Sequence, residues 1–217
     1  MTDEERRLRE EIIAMCLRFE ASGLNQGTSG NVSARFEGRM IVTPSATPYA
    51  AMTAESLAST ALEGPPAWQG PLPPSSEWRI HRDILRARPE IGAVAHLHPT
   101  YATAFAMCRM AIPAAHYMVA AFGGDDVRCA GYAVFGGEAL SQAALRALEG
   151  RTACLLANHG VIVLGETLAK AEWRAVELET LARQTWAAMQ IGTPAVLSAA
   201  QMAEVRARFA GYGLRED

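Results

Sequence analysis

The sequence predicts an α/β fold, in which short strands and longer helices alternate along the chain. Short segments that are apolar throughout, or that alternate apolar with polar residues, are typical of strands. Between them lie longer segments with an apolar residue every three or four positions, which is the period of an amphipathic helix. Half of the 217 residues are hydrophobic, enough to bury a large core. We therefore expect one domain spanning residues 1–217.

Composition argues against several classes of partner. The formal net charge is −3, without the broad basic surface that nucleic-acid binding requires. No run of about 18 apolar residues is present, so we expect no membrane span. The N-terminus is charged and lacks the apolar stretch of a signal peptide. The four cysteines are widely spaced with no Cys-x-x-Cys pair, which indicates reduced thiols in a cytoplasmic protein.

The first helix is predicted from a capping pattern at the N-terminus. Thr2 and Glu5 have the spacing of a capping box, and Gly23 ends the apolar helical repeat that follows. The next segments are predicted as a loop (24–31), a hairpin of two strands (32–36 and 40–42), a short helical turn (53–56) and a proline-rich loop (64–74).

The second part of the chain is predicted from similar start and stop signals. Ser76 is the expected N-cap of a helix that Pro89 stops. Thr167 is the expected N-cap of a long helix, and Ser198 with Gln201 has the spacing of a capping box. The remaining predictions are strands at 94–98, 153–157 and 161–164 and helices at 99–107, 137–148, 167–191 and 198–209.

Three histidines predict a metal site. Side chains two apart on a strand share a face, so His96 and His98 should point the same way, roughly 7 Å apart along the strand. The best candidate for a third ligand is His159, which follows a buried strand. Three imidazoles with an open fourth position are typical of catalytic zinc, and Fe²⁺, Co²⁺ or Mn²⁺ would also suit them.

An acidic residue lies at the start of the predicted helix that precedes the histidine strand. Glu77 has the position to act as a proton acceptor beside a metal, or merely to complement the helix dipole. His81 shares a helix face with Glu77, but we expect nothing else to gather around it and predict a packing or supporting role. His116 is likewise predicted to be structural or supporting.

The loop at 24–31 has the composition of an anion-binding loop. Its glycines would let backbone N–H groups approach a phosphate, and its hydroxyl and amide side chains would add donors. Taken alone, such a loop is more often a turn. Together, a metal that polarises a carbonyl, a carboxylate and an anion site suit carbon–carbon bond chemistry next to a carbonyl.

Several short motifs, spread over nearly the whole chain, carry a family resemblance. They are Gly-Thr-Ser-Gly-Asn-Val-Ser (27–33), Val-Thr-Pro-Ser (42–45), Pro-Ser-Ser-Glu-Trp-Arg (74–79), His-Leu-His-Pro (96–99), Ile-Pro-Ala-Ala-His-Tyr-Met (112–118), Asn-His-Gly (158–160) and Tyr-Gly-Leu-Arg (212–215). In this order and spacing the chain resembles the class II, zinc-dependent aldolases of the aldolase/adducin family. Within that family the likeness is greatest to the L-fuculose-1-phosphate aldolases.

The resemblance implies a role for each matching residue. Glu77 matches a carboxylate that approaches the empty metal and acts as general acid/base once substrate is bound. Tyr117 matches a tyrosine that protonates the aldehyde oxygen, and Tyr212 matches a second tyrosine that helps to close the site. The zinc ligands match His96, His98 and His159, and the phosphate-binding segments contain Thr28, Gly30, Asn31, Ser45, Ser75 and Ser76.

The resemblance also implies an architecture and a reaction. The expected fold is a three-layer α/β sandwich with a central, mainly antiparallel sheet flanked by helices. The expected assembly is a homotetramer with active sites at subunit interfaces. The expected reaction is reversible cleavage of a ketose 1-phosphate to dihydroxyacetone phosphate and an aldehyde, through a zinc-stabilised enediolate. Fuculose, 5-deoxyribulose and methylthioribulose 1-phosphates would all be reasonable substrates.

One residue departs from the family pattern. Ala46 stands where the family often has glycine, and its methyl group would narrow or reshape the phosphate pocket if the backbone N–H there contacts phosphate.

Related activities on the same scaffold remain open. The chain is also similar to pentulose-phosphate 4-epimerases and to decarboxylases of phosphorylated keto-acids, although its length and its Tyr-Gly-Leu-Arg ending favour the aldolase. A non-catalytic scaffold, as in the adducin head domain, would be expected to lack the metal histidines, and all three are present.

Overall fold

The computed structural model describes residues 1–209, and the expected elements are present in the expected order. The strands are β1 Asn31–Phe36, β2 Arg39–Val42, β3 Ala58–Ala61, β4 Ala93–Leu97, β5 Ile112–Pro113, β6 Asp126–Val127, β7 Cys129–Ala130, β8 Ala153–Leu156 and β9 Gly160–Gly165. The α-helices are α1 Asp3–Ala21, α2 Trp78–Ala87, α3 Thr100–Met107, α4 Glu138–Ala147, α5 Leu168–Ile191 and α6 Ala199–Phe209.

The main sheet has seven strands in the order β3-β2-β1-β4-β9-β8-β7. All neighbouring pairs are antiparallel except β7 and β8, which are parallel, and β5 pairs with β6 in a separate small sheet. The pairing of β1 with β4 places Asn31 opposite His96. The predicted mainly antiparallel sheet is therefore confirmed, and its register brings the loop before β1 to the histidine strand.

Two hydrophobic cores lie on opposite faces of this sheet, which confirms the three-layer sandwich. Because strand side chains alternate, Ala93, Ala95 and Leu97 enter the core that contains α1, α3 and α5. Val94 and Ile162 enter the other core, which α2 and α4 cover. His96 therefore points to the α2 side, toward the helix that follows Glu77.

Most of the predicted helix caps are present. The Thr2 hydroxyl accepts a hydrogen bond from the backbone N–H of Glu5, but the Glu5 carboxylate binds Arg9 and Arg39 instead of closing the capping box. The Thr167 hydroxyl caps α5. At α6, Ser198 and Gln201 cap each other reciprocally, as predicted.

Two sequence predictions are corrected by the structure. Ser76 is not the N-cap of α2, because the helix begins one residue later and Glu77 occupies the cap position. The segment 52–74, in which no strand was expected, contains β3, the edge strand that pairs with β2. Its sequence, Ala-Ser-Thr-Ala, is too weakly apolar to reveal a strand, and only the pairing makes it one. No helix within residues 1–209 combines the length and apolarity needed to cross a bilayer.

Candidate active site

The three histidines predicted as metal ligands converge at one end of the sheet. His96 lies near the end of β4, His98 follows that strand, and His159 lies in the turn between β8 and β9. Their available ligand atoms all lie within 4.8 Å of one another, and the Nε2 atoms of His96 and His98 are 3.0 Å apart. Nitrogen ligands of a tetrahedral zinc ion lie about 3.4 Å from one another. The arrangement therefore fits one small divalent ion with three imidazole ligands.

The turn that carries His159 depends on the residues on either side of it, Asn158 and Gly160. Asn158 has a left-handed backbone (φ +56°), and its side-chain amide donates to the Met107 carbonyl at the end of α3. A side chain at Gly160 would place its Cβ 2.3 Å from the His98 ring and 2.5 Å from the Leu97 carbonyl oxygen. Glycine is thus required at position 160 because the His98 ring lies directly against its backbone.

The electronic state of the histidines suits metal binding. His96 is buried, and its Nδ1–H donates to the Val161 carbonyl at 3.0 Å, which leaves the Nε2 lone pair directed at the cluster. Burial, together with the nearby His96 and His159, lowers the pKa of His98 to about 4, and burial also lowers the pKa of His159. Neutral imidazoles can bind a metal without first losing a proton.

Glu77 lies directly beside the histidines. Its Oε2 is 3.0 Å from His96 Nε2, and its Oε1 is 3.4 Å from His159 Nε2. Burial alone would raise the pKa of the Glu77 carboxyl, but His96, His159 and the Asn31 amide lower it to about 2. The group is therefore a carboxylate at neutral pH, in contact with two of the three histidines.

His81 has polar neighbours that the sequence did not reveal. Its Nδ1 is 2.8 Å from the Ser33 hydroxyl, and its Nε2 hydrogen-bonds the Asn31 carboxamide oxygen. The Asn31 amide nitrogen in turn donates to Glu77 Oε2 at 3.2 Å. The expectation that nothing gathers around His81 is wrong, because β1 delivers Ser33 and Asn31 to it from about 50 residues away in sequence. Both ends of the Asn31 carboxamide are therefore hydrogen-bonded, its oxygen to His81 and its nitrogen to Glu77.

The segments predicted to bind phosphate are joined to one another next to Glu77. Backbone hydrogen bonds link Ser45 N–H to the Pro73 carbonyl and Ser75 N–H to the Thr43 carbonyl, both at 3.0 Å. The Ser75 hydroxyl accepts from the backbone N–H of Glu77 at 3.2 Å. Ser76 and Thr28 are exposed. The serine segments therefore meet at the start of the helix that follows the carboxylate.

Gly30 closes the loop that precedes β1. It has a left-handed backbone (φ +79°), and a Cβ there would lie 2.3 Å from the Asn25 amide nitrogen. The Asn25 carboxamide oxygen accepts from the backbone N–H of His98 at 2.9 Å. Only glycine fits at position 30, because Asn25 fills the space between the loop and the metal-ligand strand.

The departure at Ala46 has a structural consequence. Ala46 is exposed and has a left-handed backbone (φ +50°), a conformation that glycine adopts freely and alanine adopts at a cost of roughly 1 kcal/mol. The turn after Ser45 keeps a glycine-type backbone although the glycine is missing.

The two tyrosines implied by the family resemblance differ in what the structure describes of them. Tyr117 is exposed, with its ring stacked on His116 and lying 6.3 Å from the Phe209 ring of α6. His116 Nδ1 accepts from the backbone N–H of Met118, the structural role expected of it. Tyr212 lies outside the described residues.

Comparison with known proteins places the chain in a family. Residues 10–186 match the class II aldolase and adducin N-terminal domain. The chain therefore belongs to the class II aldolase and adducin family, as its motifs predicted.

Relatives of named activity resemble the chain over almost its whole length. It is 46% identical over 206 residues to the 5-methylthioribulose-1-phosphate/5-deoxyribulose-1-phosphate aldolase of Rhodospirillum rubrum, covering 95% of this chain and 92% of that protein. It is 41% identical over 213 residues to the L-fuculose phosphate aldolase of Escherichia coli K12, covering 98% of each. A solved structure of an L-fuculose 1-phosphate aldolase matches with a TM-score of 0.90 at 33% identity, covering 96% of this chain and 97% of that one. These relatives are carbon–carbon lyases, and the predicted enzyme class is confirmed.

Proposed function

We propose that this protein is a metal-dependent aldolase that reversibly cleaves a ketose 1-phosphate to dihydroxyacetone phosphate and an aldehyde. The observation that carries the proposal is the placement of the Glu77 carboxylate against His96 and His159, two residues after Ser75. A carboxylate, three imidazoles and the segment that contains Ser75 thus lie next to one another in the fold.

The metal is assigned to the imidazole triad of His96, His98 and His159. Zn²⁺ is the proposed ion, because it is the borderline metal that suits three neutral imidazoles with an open position, and Mn²⁺, Co²⁺ or Fe²⁺ are the alternatives. When bound, such an ion supplies Lewis-acid polarisation of the substrate carbonyl and stabilises negative charge that develops beside it.

The protein side chains move the protons. In synthesis we assign the first transfer to Glu77, whose carboxylate takes a proton from the carbon of the triose half next to its carbonyl. Tyr117 gives its hydroxyl proton to the aldehyde oxygen as the carbon–carbon bond forms, and solvent then carries the proton from Glu77 back to Tyr117. Cleavage is the exact reverse, with Glu77 protonated and Tyr117 deprotonated through solvent before the bond breaks.

The phosphate is assigned to the serine segments and the loop before β1. We assign hydroxyl donors to Thr28, Ser45, Ser75 and Ser76 and a backbone N–H donor to Gly30. Asn31 contributes because it lies between the loop and the Glu77 carboxylate. Oriented N–H groups and the metal provide local positive potential, which lets a protein of net charge −3 hold a phosphate dianion.

The aldehyde half is proposed from the named relatives. The protein of Rhodospirillum rubrum acts on 5-methylthioribulose 1-phosphate and 5-deoxyribulose 1-phosphate, and the Escherichia coli protein acts on L-fuculose phosphate. We propose that this chain cleaves one or more of these three ketose 1-phosphates, in a cytoplasm in which its four unpaired cysteines stay reduced.

We also propose assembly as a homotetramer with the active sites at subunit interfaces. Exposed apolar side chains gather on segments beside the site, and solvent-facing patches of this kind often mark protein–protein contacts. The Arg109 guanidinium lies over the Tyr132 ring, which joins two of these segments. We call this patch the apolar rim, and its members are Met107, Met110, Tyr132, Val134 and Phe135.

The test is release of triose from a panel of ketose 1-phosphates. Zinc-loaded protein should release dihydroxyacetone phosphate from at least one of the three substrates, and a chelator should abolish the release. Glu77→Gln should retain its zinc and lose most of the turnover, because the amide cannot exchange the proton. An absence of triose release with zinc bound would overturn the aldolase proposal. Interconversion of pentulose phosphates or loss of carbon dioxide would then identify an epimerase or a decarboxylase on the same scaffold.

A further inference from the structure

A buried chain of hydrogen bonds runs from β1 through α2 to the carboxylate of Glu77. Ser33 Oγ lies 2.8 Å from His81 Nδ1, and His81 Nε2 hydrogen-bonds Asn31 Oδ1. Asn31 Nδ2 lies 3.2 Å from Glu77 Oε2, the oxygen that also contacts His96. Ser33 and His81 are fully buried, and Asn31 is 5% exposed.

The chemistry of the groups gives this chain a single direction. A carboxylate can only accept, so Asn31 must present its amide N–H to Glu77 and its carbonyl oxygen to His81. His81 must then carry its proton on Nε2 and accept at Nδ1, where the Ser33 hydroxyl donates. Burial lowers the pKa of His81 to about 3, so the ring is neutral and has one donor and one acceptor, as this arrangement requires.

Without His81 the Asn31 carboxamide would be held at its nitrogen end alone, and its buried oxygen would lose the donor that His81 Nε2 supplies. An unpaired buried carbonyl oxygen is costly, so the carboxamide would shift toward another donor. The hydrogen bond from Asn31 to Glu77 Oε2 would then lengthen or break. The remaining contacts of the Glu77 carboxylate are with His96 and His159, and both of these histidines are needed by the metal.

The position of these hydrogen-bonded side chains in the fold allows them to support the Glu77 carboxylate. Asn31 and Ser33 are two apart on β1 and share a face, while His81 lies one helical turn after Glu77. Asn31 is also the strand partner of His96. The series of hydrogen bonds therefore connects α2, the helix that follows Glu77, to β1, the strand that pairs with the histidine strand β4.

We propose that His81 is a positioning residue, which fixes the Asn31 amide and through it the Glu77 carboxylate for proton transfer. The inference rests on the proposed function in that it takes Glu77 to be the acid/base group. His81 itself touches neither substrate nor metal in this assignment, and Ser33 acts by holding the His81 tautomer.

The kinetic test compares two substitutions of His81 in the zinc-loaded full chain. His81→Leu removes the donor to Asn31, and we expect kcat to fall about tenfold to a hundredfold, a typical effect of lost support around a metal site. KM and zinc content should stay near those of the unaltered protein. His81→Gln restores an amide N–H close to the position of Nε2 and should recover most of kcat.

The matched control is Ile84→Val. Ile84 is a buried residue of the same helix, and its side chain lies in the core between the sheet and the helices α2 and α4. The substitution should lower stability modestly and leave kcat unchanged. A folded, zinc-replete His81→Leu protein with the kcat of this control would overturn the inference. Equal losses for His81→Leu and His81→Gln would overturn it as well, since a merely structural histidine would show no rescue by a donor.

A readout without turnover separates this inference from the proposed function. Nitrogen NMR of uniformly nitrogen-15-labelled protein should show His81 as the Nε2–H tautomer at neutral pH, with the Asn31 side-chain amide slow to exchange with solvent. In Ser33→Ala the tautomer should become mixed. A protonated ring, or the Nδ1–H tautomer, would refute the inference even if the protein is an active aldolase. The expected tautomer would support it even if no ketose 1-phosphate is cleaved or His81→Leu does not fold.

Discussion

At the scale of single residues, Gly160 shows how closely the histidine cluster is packed. The His98 ring and the Leu97 carbonyl oxygen both occupy the volume that a Cβ at position 160 would need. The carbonyl belongs to β4 and cannot move away without breaking the sheet, so the His98 ring would have to shift. A ligand displaced from its place costs metal affinity, because the three imidazoles must reach one ion together.

We therefore expect Gly160→Ala to lower zinc affinity at least tenfold and to lose activity in proportion. Zinc titration with a competing chelator measures the affinity. Gly192→Ala is the matched control, because that glycine follows α5 with an extended backbone and open space around it. Zinc binding by Gly160→Ala equal to that of Gly192→Ala would show that His98 is not a required ligand.

At the scale of elements, the loop at 24–31 is held to the histidine strand by two side chains. The Asn25 carboxamide accepts from His98 N–H and donates to the Tyr49 hydroxyl at 3.1 Å. The Tyr49 hydroxyl donates to the Ser29 carbonyl at 2.6 Å. Asn25 and Tyr49 are both buried. They therefore hold the loop proposed to bind phosphate in a fixed position relative to His98.

Removal of the Tyr49 hydroxyl should loosen this loop without disturbing the metal. We expect Tyr49→Phe to raise KM for a ketose 1-phosphate about fivefold, the effect of losing one hydrogen bond of about 1 kcal/mol. Its kcat and zinc content should change little. As a control, the inhibition constant of an unphosphorylated ketose should be the same for Tyr49→Phe and the unaltered protein, because this inhibitor has no phosphate for the loop to bind. An unchanged KM for the phosphorylated substrate would place the phosphate elsewhere.

At the scale of the whole molecule, Tyr117 poses the question of what completes the active site. Its ring stacks on His116 and faces Phe209 of α6, while the metal cluster is built from β4, the turn before β9 and Glu77. Tyr117 is 46% exposed, and the side chains of the apolar rim are exposed as well. The carbonyl of Met107 in that rim accepts from Asn158, in the turn that carries His159. If the chain forms the proposed tetramer, Tyr117 is placed to serve a neighbouring subunit.

Mixed tetramers test this arrangement. Glu77→Gln and Tyr117→Phe should each be nearly inactive, yet subunits co-assembled in equal amounts should recover about a quarter of the sites, because some sites combine an intact residue from each subunit. A mixture of Glu77→Gln with His159→Ala is the control and should recover nothing, since these two residues lie in one subunit's cluster. A lack of recovery with Tyr117→Phe would place Tyr117 in the site of its own chain.

Much of the architecture was predictable because it depends on local rules. Caps such as Thr2, Thr167 and the Ser198–Gln201 pair act over three residues, and helical or strand periods extend over one element. The ligand pair His96 and His98 was predictable for the same reason, because alternation along a strand places both on one face. The departure at Ala46 was visible in the sequence, but its left-handed backbone was not.

The tertiary structure decided which residues that are far apart in sequence come into contact. Sequence alone determined the α/β class, most element boundaries, the three imidazoles and the carboxylate, because each follows from spacing or from a motif. The strand at β3, the N-cap of α2 at Glu77 and the neighbours of His81 came only from the fold. The physical reason is the register of β1 against β4, which no local pattern specifies and which brings Ser33 and Asn31 to a histidine on another element.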